Sequence, residues 1–455
     1  MKTVDVGLLL DEGPWSGYQK RLVFATALTI VLDGFDNQLL GAAVPALMRE
    51  WNLPRPGAFS PILTSGMAGM MVGGALGGFI GDRLGRRVAL LASVISFGVL
   101  TVLVSVADSL LMLGVLRFFA GLGLGGAMPN AAALSTEYVP RRHRPFAVTL
   151  TIVCIPLGGM LAGIVGAQIL PRFGWRALFL VGGILPLILA AVLLKVLPES
   201  PRYLARHRER WLELAALLRR LGHDVPRDTA FVDGAEMAVM RVSAREFLVP
   251  ELRRDTLALC GSFFFCLLSV YVGTNWVPSL LDEAGFDVGV ASNGLAAFNL
   301  GGVVGAILGA VIITRLGSRL TMLAMTAGAV AGAATMAAVS IGTQSALSVL
   351  VMLAWTGGLI NAVQTTMYAL AAHVFPTAIR ATGVGTAVAF GRVGGVLSPS
   401  IGSWALESGG ASRFFALIAA TMTLVFVALA SVRHHIPRLS AVHAPGSVAA
   451  EPAGH

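Results

Sequence analysis

Four ionisable residues inside otherwise apolar stretches are where this chain could do chemistry: Asp33 and Asp36 in DGFD, Arg117 in RFFAGLGLGG, and Arg392 in FGRVGG. The two aspartates are three apart, so a helix places them on one face. Two carboxylates that close and away from water cannot both ionise cheaply, which suits a pair that takes up and releases a proton. The same residues also have a purely local use, Asp33 capping a helix broken at Gly34 and Asp36 pairing with an arginine. Arg117 is followed by Gly121 and Gly125 on one small-residue face and is expected to pack on the first helix as countercharge to Asp33 or Asp36. Around Arg392, Gly391, Gly394 and Gly395 leave room for a planar fork that binds a carboxylate bidentately in a dry cleft. The acids of its own half, Asp282, Glu283, Asp287 and Glu407, lie towards the opposite face of the membrane. Arg392 is therefore read as a substrate anchor.

Other polar groups are less specific. Tyr271 and Asn275 in YVGTNWVPSLL, and Gln364 and Tyr368 with Asn361 in NAVQTTMYAL, pair at four-residue spacing. Each pair offers a face for a flat substrate with a polar edge. Such residues also populate interfacial belts and helix contacts. Glu137 and His373 close two apolar stretches just before Pro140 and Pro376, where they could relay a proton or simply snorkel to the surface. Cys154, Cys260 and Cys266 make no metal-ligand spacing, and no Gly-rich phosphate loop is present, so neither metal nor cofactor is expected and the chain is not read as an enzyme.

The elements that must position these residues follow from composition. Of 455 residues, 56% are apolar and 13% charged, with 54 glycines; soluble chains draw about 25% from charged types. The chain must lie in a lipid bilayer. Its net charge of +9 comes from short clusters between apolar runs and not from one basic stripe, so no nucleic-acid partner is expected. Apolar runs long enough to cross a bilayer fall near 22–47, 58–81, 88–106, 110–138, 146–170, 175–197, 255–281, 289–313, 320–341, 346–374, 382–406 and 412–432. With both termini cytoplasmic, only Arg49, Arg55, Arg172, Arg176 and Arg413 lie outside and Arg117 and Arg392 within spans; the rest of the 33 Lys and Arg residues are cytoplasmic. The expected organisation is a cytoplasmic segment 1–20, a six-helix bundle 21–198, a linker 199–254 with an amphipathic helix near 208–221, a second bundle 255–433, and a disordered cytoplasmic tail 434–455.

The halves are copies. GGALGGFIGDRLGRR, from Gly73 to Arg87, returns as GAILGAVIITRLGSR, from Gly305 to Arg319, with eight of fifteen positions identical. Pro140 and Arg144 match Pro376 and Arg380 at a similar offset. Two parallel six-helix halves imply a substrate site near the midplane between them and a rocking motion that exposes it to each side in turn. In the first copy Gly77 and Gly85 ease close approach and turning, while Asp82, Arg83, Arg86 and Arg87 form a charge cluster suited to a conformational latch. The second copy has Thr314 in place of Asp82.

Gly77 to Arg87 resembles the signature loop of the major facilitator superfamily. DGFD, with Leu116 to Tyr138 and Arg380 to Gly395, resembles its aromatic acid:proton symporters over nearly the whole chain. That resemblance implies an all-α membrane protein of twelve helices in two pseudo-symmetric bundles, in a bacterial cytoplasmic membrane. It implies import of a benzoate, hydroxybenzoate or phenylpropionate type of carboxylate with protons, in the service of aromatic catabolism, by a monomer. Asp33, Asp36, Arg117 and Arg392 all match that family's motif positions, the first three with proton-coupling roles; Glu137 joins the proton-coupling candidates only from its place at a helix end. A proton-coupled exporter of aromatic compounds, a carrier of another small organic acid or sugar, and a receptor that binds without turnover are the competing readings.

Overall fold

The computed structural model describes residues 2–223, 225–226, 229–233, 250–376 and 379–438. Its helices are α1 (Val6–Glu12), α2 (Gly17–Glu50), α3 (Ser60–Leu84), α4 (Arg86–Val104), α5 (Leu110–Tyr138), α6 (Arg144–Val196) and α7 (Pro201–Arg206). They continue with α8 (Trp211–Arg220), α9 (Pro250–Glu283), α10 (Val288–Leu316), α11 (Ser318–Ala338), α12 (Ala346–Val374) and α13 (Arg380–Ser431). Among the described residues nine helices are long and apolar enough to cross a bilayer. The 34-residue α2 is equally long, but the polar run from Asp33 to Gln38 at mid-length lowers its average hydropathy. Both α6 and α13 fold back on themselves, α6 at Gly174 with φ 73° and α13 at Gly409 and Gly410, where Gly410 has φ 56°. Left-handed backbone of this kind is open to glycine at little cost. Each is therefore long enough to cross twice, and the described residues supply the twelve expected crossings in two bundles of six.

The large apolar side chains that remain exposed, such as Phe79, Ile188, Val192, Leu308 and Val311, lie on the outer faces of these helices. In water such a surface is unstable; in hydrocarbon it costs nothing. The first helix begins earlier than the expected residue 22 because Ser16 and Gln19 form a reciprocal capping box that satisfies its first backbone N–H groups.

The repeat is legible in the backbone. Gly85 (φ 105°) and Gly317 (φ 79°) make the same turn in the two halves, between α3 and α4 and between α10 and α11. Each turn is held by the chain that follows the sixth crossing of its bundle. In the first half the Glu199 carboxylate accepts from the N–H of Arg87 at 2.9 Å. In the second, the N–H of Ser318 donates to the Ile436 carbonyl at 3.0 Å, and Ile436 returns a bond to the Ser318 hydroxyl at 2.8 Å. The beginning of the expected disordered tail, residues 434–438, is thus docked; residues 439–455 lie outside those described.

The N-terminal segment is also structured. Strand β1 (Lys2–Asp5) pairs in parallel with β2 (Thr229–Val232) of the linker, and Asp11 of α1 forms an ion pair with Arg144 at the start of α6. The amphipathic helix expected near 208–221 is α8, which buries Leu214, Leu217 and Leu218. Linker residues 234–249 lie outside the described structure.

Alternation of the crossings gives the molecule a linker end, carrying residues 199–233 and both described chain ends, and a far end. At the far end the halves are pinned. Arg49 of α2 pairs with Asp282 of α9, the N–H of Gly57 donates to Glu407 Oε1 at 2.8 Å, and the Ser60 hydroxyl donates to Ser403 Oγ at 2.7 Å. One level deeper, Gln38 of α2 and Asn299 of α10 exchange hydrogen bonds of 3.2 and 2.7 Å through fully oriented amides. All of these joins lie on the far-end side of Asp33.

Candidate functional site

Helix α2 contributes both aspartates from one face, and they meet different surroundings. Asp36 is fully buried. Its Oδ1 accepts from the Thr101 hydroxyl of α4 at 2.6 Å, its Oδ2 from Arg117 of α5 at 3.2 Å, and a second Arg117 nitrogen donates to the Asp36 carbonyl at 3.2 Å. The sequence left open which aspartate Arg117 would meet; packing selects Asp36. Small residues make this possible, since a side chain on Gly121 would overlap the carbonyl of Gly66 and one on Gly125 that of Met70, so α3 and α5 run in backbone contact. A buried pair of this type is costly to form and more costly to break, because the survivor is left as an uncompensated charge.

Asp33 faces a cavity of about 130 Å³ between the halves. It is 4% exposed, and its Oδ1 has no hydrogen-bond partner, a costly state for a buried polar atom. Across the same cavity, from α13, comes Arg392, whose guanidinium lies so close to α3 that any side chain on Gly74 would overlap it. Its charge is near enough to act on Asp33, yet no carboxylate among the described residues is within ion-pair distance. The acid it faces across the cavity, Asp33, comes from the other half. Tyr271 of α9 and Tyr368 of α12 complete the polar lining.

Opposite the tyrosines the wall is made of Met67, Met70 and Met71 of α3 and Met128 of α5. Sequence reasoning passed over these residues, although 67, 70 and 71 share a helical face. It also passed over Thr101 and the Gln38 and Asn299 pair.

Three expected binding residues are elsewhere. Asn275 is buried on the far-end side, 3.5 Å from the Ser398 hydroxyl. Asn361 donates to the Gly357 carbonyl of its own helix at 2.9 Å and packs on Gly302 of α10, so it glues helices together. Gln364 is half-buried outside the cavity lining. Glu137, a proton-relay candidate expected near the membrane surface, is at the linker end, away from the aspartate pair. It accepts from the Ser200 hydroxyl and stands 3.9 Å from Arg86, which pairs with Asp82 at 2.7 Å. The reason is its place one residue before the end of α5, where the chain has already left the midplane. His373 is exposed at the same end.

The signature-loop residues form one connected cluster. Gly77 lies against the Gly126 Cα, Gly85 supplies the turn, Arg87 donates to the Leu194 carbonyl at 2.6 Å, and Arg83 stacks 4.2 Å over Phe79 while its carbonyl accepts from Tyr203. All of these partners lie in the first half or the linker.

A sequence pattern described as the Major Facilitator Superfamily matches residues 26–397 and, in a second placement, 259–450. The chain belongs to the major facilitator superfamily. This superfamily member is a multi-pass membrane transporter and not an enzyme. It is 33% identical over 409 residues to the gallate transporter of Pseudomonas putida, covering 89% of this chain and 90% of that protein. It is 34% identical over 429 residues to the 4-hydroxybenzoate transporter PcaK of Pseudomonas aeruginosa, covering 90% and 91%. To the benzoate transport protein of Acinetobacter baylyi it is 30% identical over 412 residues, covering 89% and 87%. Among solved structures, the xylose transporter XylE from E. coli in a partially occluded inward-open conformation superimposes with a TM-score of 0.71 at 18% identity, covering 90% of this chain and 97% of that one. At that identity the likeness speaks for the fold alone.

Proposed function

We propose that this transporter imports a single-ring aromatic carboxylate of the benzoate, hydroxybenzoate or phenylpropionate type together with protons across a bacterial cytoplasmic membrane, as a monomer with both termini inside. The observation that carries this reading is the meeting of Asp33 and Arg392, from opposite halves, on one small cavity with no other counterion for either among the described residues. The substrate class of its relatives and the excess of Lys and Arg at the linker end support it.

With Asp33 ionised, its charge competes for Arg392. A proton delivered to the aspartate pair from outside removes that competition and frees the guanidinium fork for the substrate carboxylate. The cavity then carries no net surplus charge, so the halves can rock about it and open at the linker end. Low proton activity inside strips the proton and releases the acid. Tyr271 and Tyr368 border the ring, Arg117 holds Asp36 in place, and the loop from Gly77 to Arg87 latches one conformation.

Proteoliposomes given an inwardly directed proton gradient are expected to accumulate labelled benzoates. Asp33→Asn, which removes the titrating charge that faces Arg392, should abolish accumulation while leaving counterflow exchange. Arg392→Lys keeps the charge but loses the fork, and should raise the KM for carboxylates by about tenfold or more. Unchanged accumulation in Asp33→Asn, or an unchanged KM in Arg392→Lys, overturns the assignment of that residue; net efflux under the same gradient would identify an exporter.

A further inference from the structure

The cavity is closed on one side by thioethers, and space lies on both sides of them. Met67 and Met70, with Leu124, border the cavity shared by Asp33 and Arg392; the same three residues also border a second void of about 10 Å³ beside Arg117, Asn37 and Gly121. That void is about the size of one water molecule. The partition between the two spaces is therefore two unbranched, three-torsion side chains and a leucine, with free volume behind as well as in front. Methionine is the apolar side chain best able to refill such a gap in more than one way, and its sulfur makes favourable contact with an aromatic ring about 5 Å away. Across from it are the rings of Tyr271 and Tyr368. Four of the chain's 16 methionines line this one small cavity.

We propose that Met67 and Met70, backed by the void beside Arg117 and flanked by Met71 and Met128, form a yielding wall that sets which ring substituents the transporter accepts. Resting on the proposed function, this deepens it: the anchor selects a carboxylate, and the wall selects the ring. A bare benzoate ring fits against the wall as it stands. A ring bearing a substituent on the side away from the carboxylate pushes Met70 towards the void, and Met67 can follow by giving up the 3.9 Å contact of its sulfur with the Ser398 hydroxyl. The transporter should therefore accept a graded series of substituted single rings, and reject a second fused ring whose volume exceeds cavity and void together.

The test uses the full-length protein in proteoliposomes and measures inhibition of labelled benzoate uptake by 4-hydroxybenzoate, 4-methoxybenzoate, 3,4-dihydroxybenzoate and 2-naphthoate. Met70→Leu and Met67→Leu nearly conserve volume but branch and stiffen the wall. They are expected to weaken the para-substituted inhibitors by about tenfold relative to benzoate measured in the same variant, the scale of a one-group mismatch in an apolar pocket. Met70→Ala should act oppositely and admit 2-naphthoate. The same order of inhibitor preference in the wild type and in all three variants overturns the proposal even if benzoate is transported. Failure of the wild type to transport any benzoate sinks the proposed function itself. A variant that does not reach the membrane is replaced by Met128→Leu, read on the same panel.

Discussion

The reciprocal amide pair of Gln38 and Asn299 gives the sharpest quantitative test of the alternating geometry. Both residues are buried, 5% and 1% exposed, and they join α2 of one half to α10 of the other through two hydrogen bonds. Opening the far end must separate these helices and hand both amides to water. A hydrogen bond exchanged for water is worth about 0.5–1.5 kcal/mol, so the pair favours the far-end-closed state by about 1–3 kcal/mol. Replacing both by alanine, Gln38→Ala with Asn299→Ala, removes both hydrogen bonds and adds almost no apolar surface whose burial would itself favour closure. The ratio of far-end-open to far-end-closed molecules should then rise by about 5- to 150-fold. Spin labels at Asp108 and Gln344, exposed far-end loop positions in opposite halves, report the separation by double electron–electron resonance. The long-distance population should grow in the double variant. The single variant Gln38→Ala should also cost stability, because it leaves the buried Asn299 Oδ1 without its donor while the amide nitrogen keeps the Leu295 carbonyl at 2.9 Å. A distance distribution in the double variant that matches the wild type within twofold refutes the claim that this pair holds the closed state.

Two further outcomes follow from the ion pairs and the docked tail. Arg117→Met strands the buried Asp36 carboxylate and should lower thermal stability in detergent by the equivalent of about 3–5 kcal/mol, with partial recovery in the Asp36→Asn/Arg117→Met double variant; equal melting of all three forms would show the pair is not buried as described. Burial pushes the His435 imidazole below its ordinary value of 6.5, with Arg319 and His373 acting in the same sense and Asp255 and the Leu429 carbonyl opposing. A lowered folded-state value means the docked form binds protons less readily than the released one. The contribution of His435 to the docking of residues 432–438 on Ser318 is therefore fully present above pH 6.5 and is lost as pH falls through the folded value. Hydrogen exchange at the Ile436 amide, corrected for its intrinsic rate, should be slow at about pH 7.5 and fast at about pH 5.5, and His435→Asn should flatten the difference.

Much of this architecture was legible in the residues themselves. Bilayer thickness converts apolar run length directly into crossings, and the clustering of Lys and Arg into short polar breaks follows from the cost of burying charge. The repeated loop of Gly73 to Arg87 and Gly305 to Arg319 was legible for a related reason: only glycine takes the left-handed backbone at 85 and 317 cheaply, so the turn leaves a mark in sequence. Asp33, Asp36, Arg117 and Arg392 stood out because an ionisable group at lipid depth needs a reason to be there.

The sequence did not determine which of those charges meet. Asp33 and Asp36 are equivalent by type and by helical face, and only the packing of α4 and α5 against one turn of α2 gives Asp36 a hydroxyl and a guanidinium while leaving Asp33 for the cavity. The methionine wall and the Gln38 and Asn299 pair carry no signal of charge or special backbone, so they became visible only when two helices distant in sequence were brought together. Asn361 and Gln364 are not cavity residues because a rotation of about 100°, one residue's worth, about a helix axis decides whether an amide faces a cleft or a neighbouring helix, and periodicity fixes spacing along the helix but not its absolute rotation.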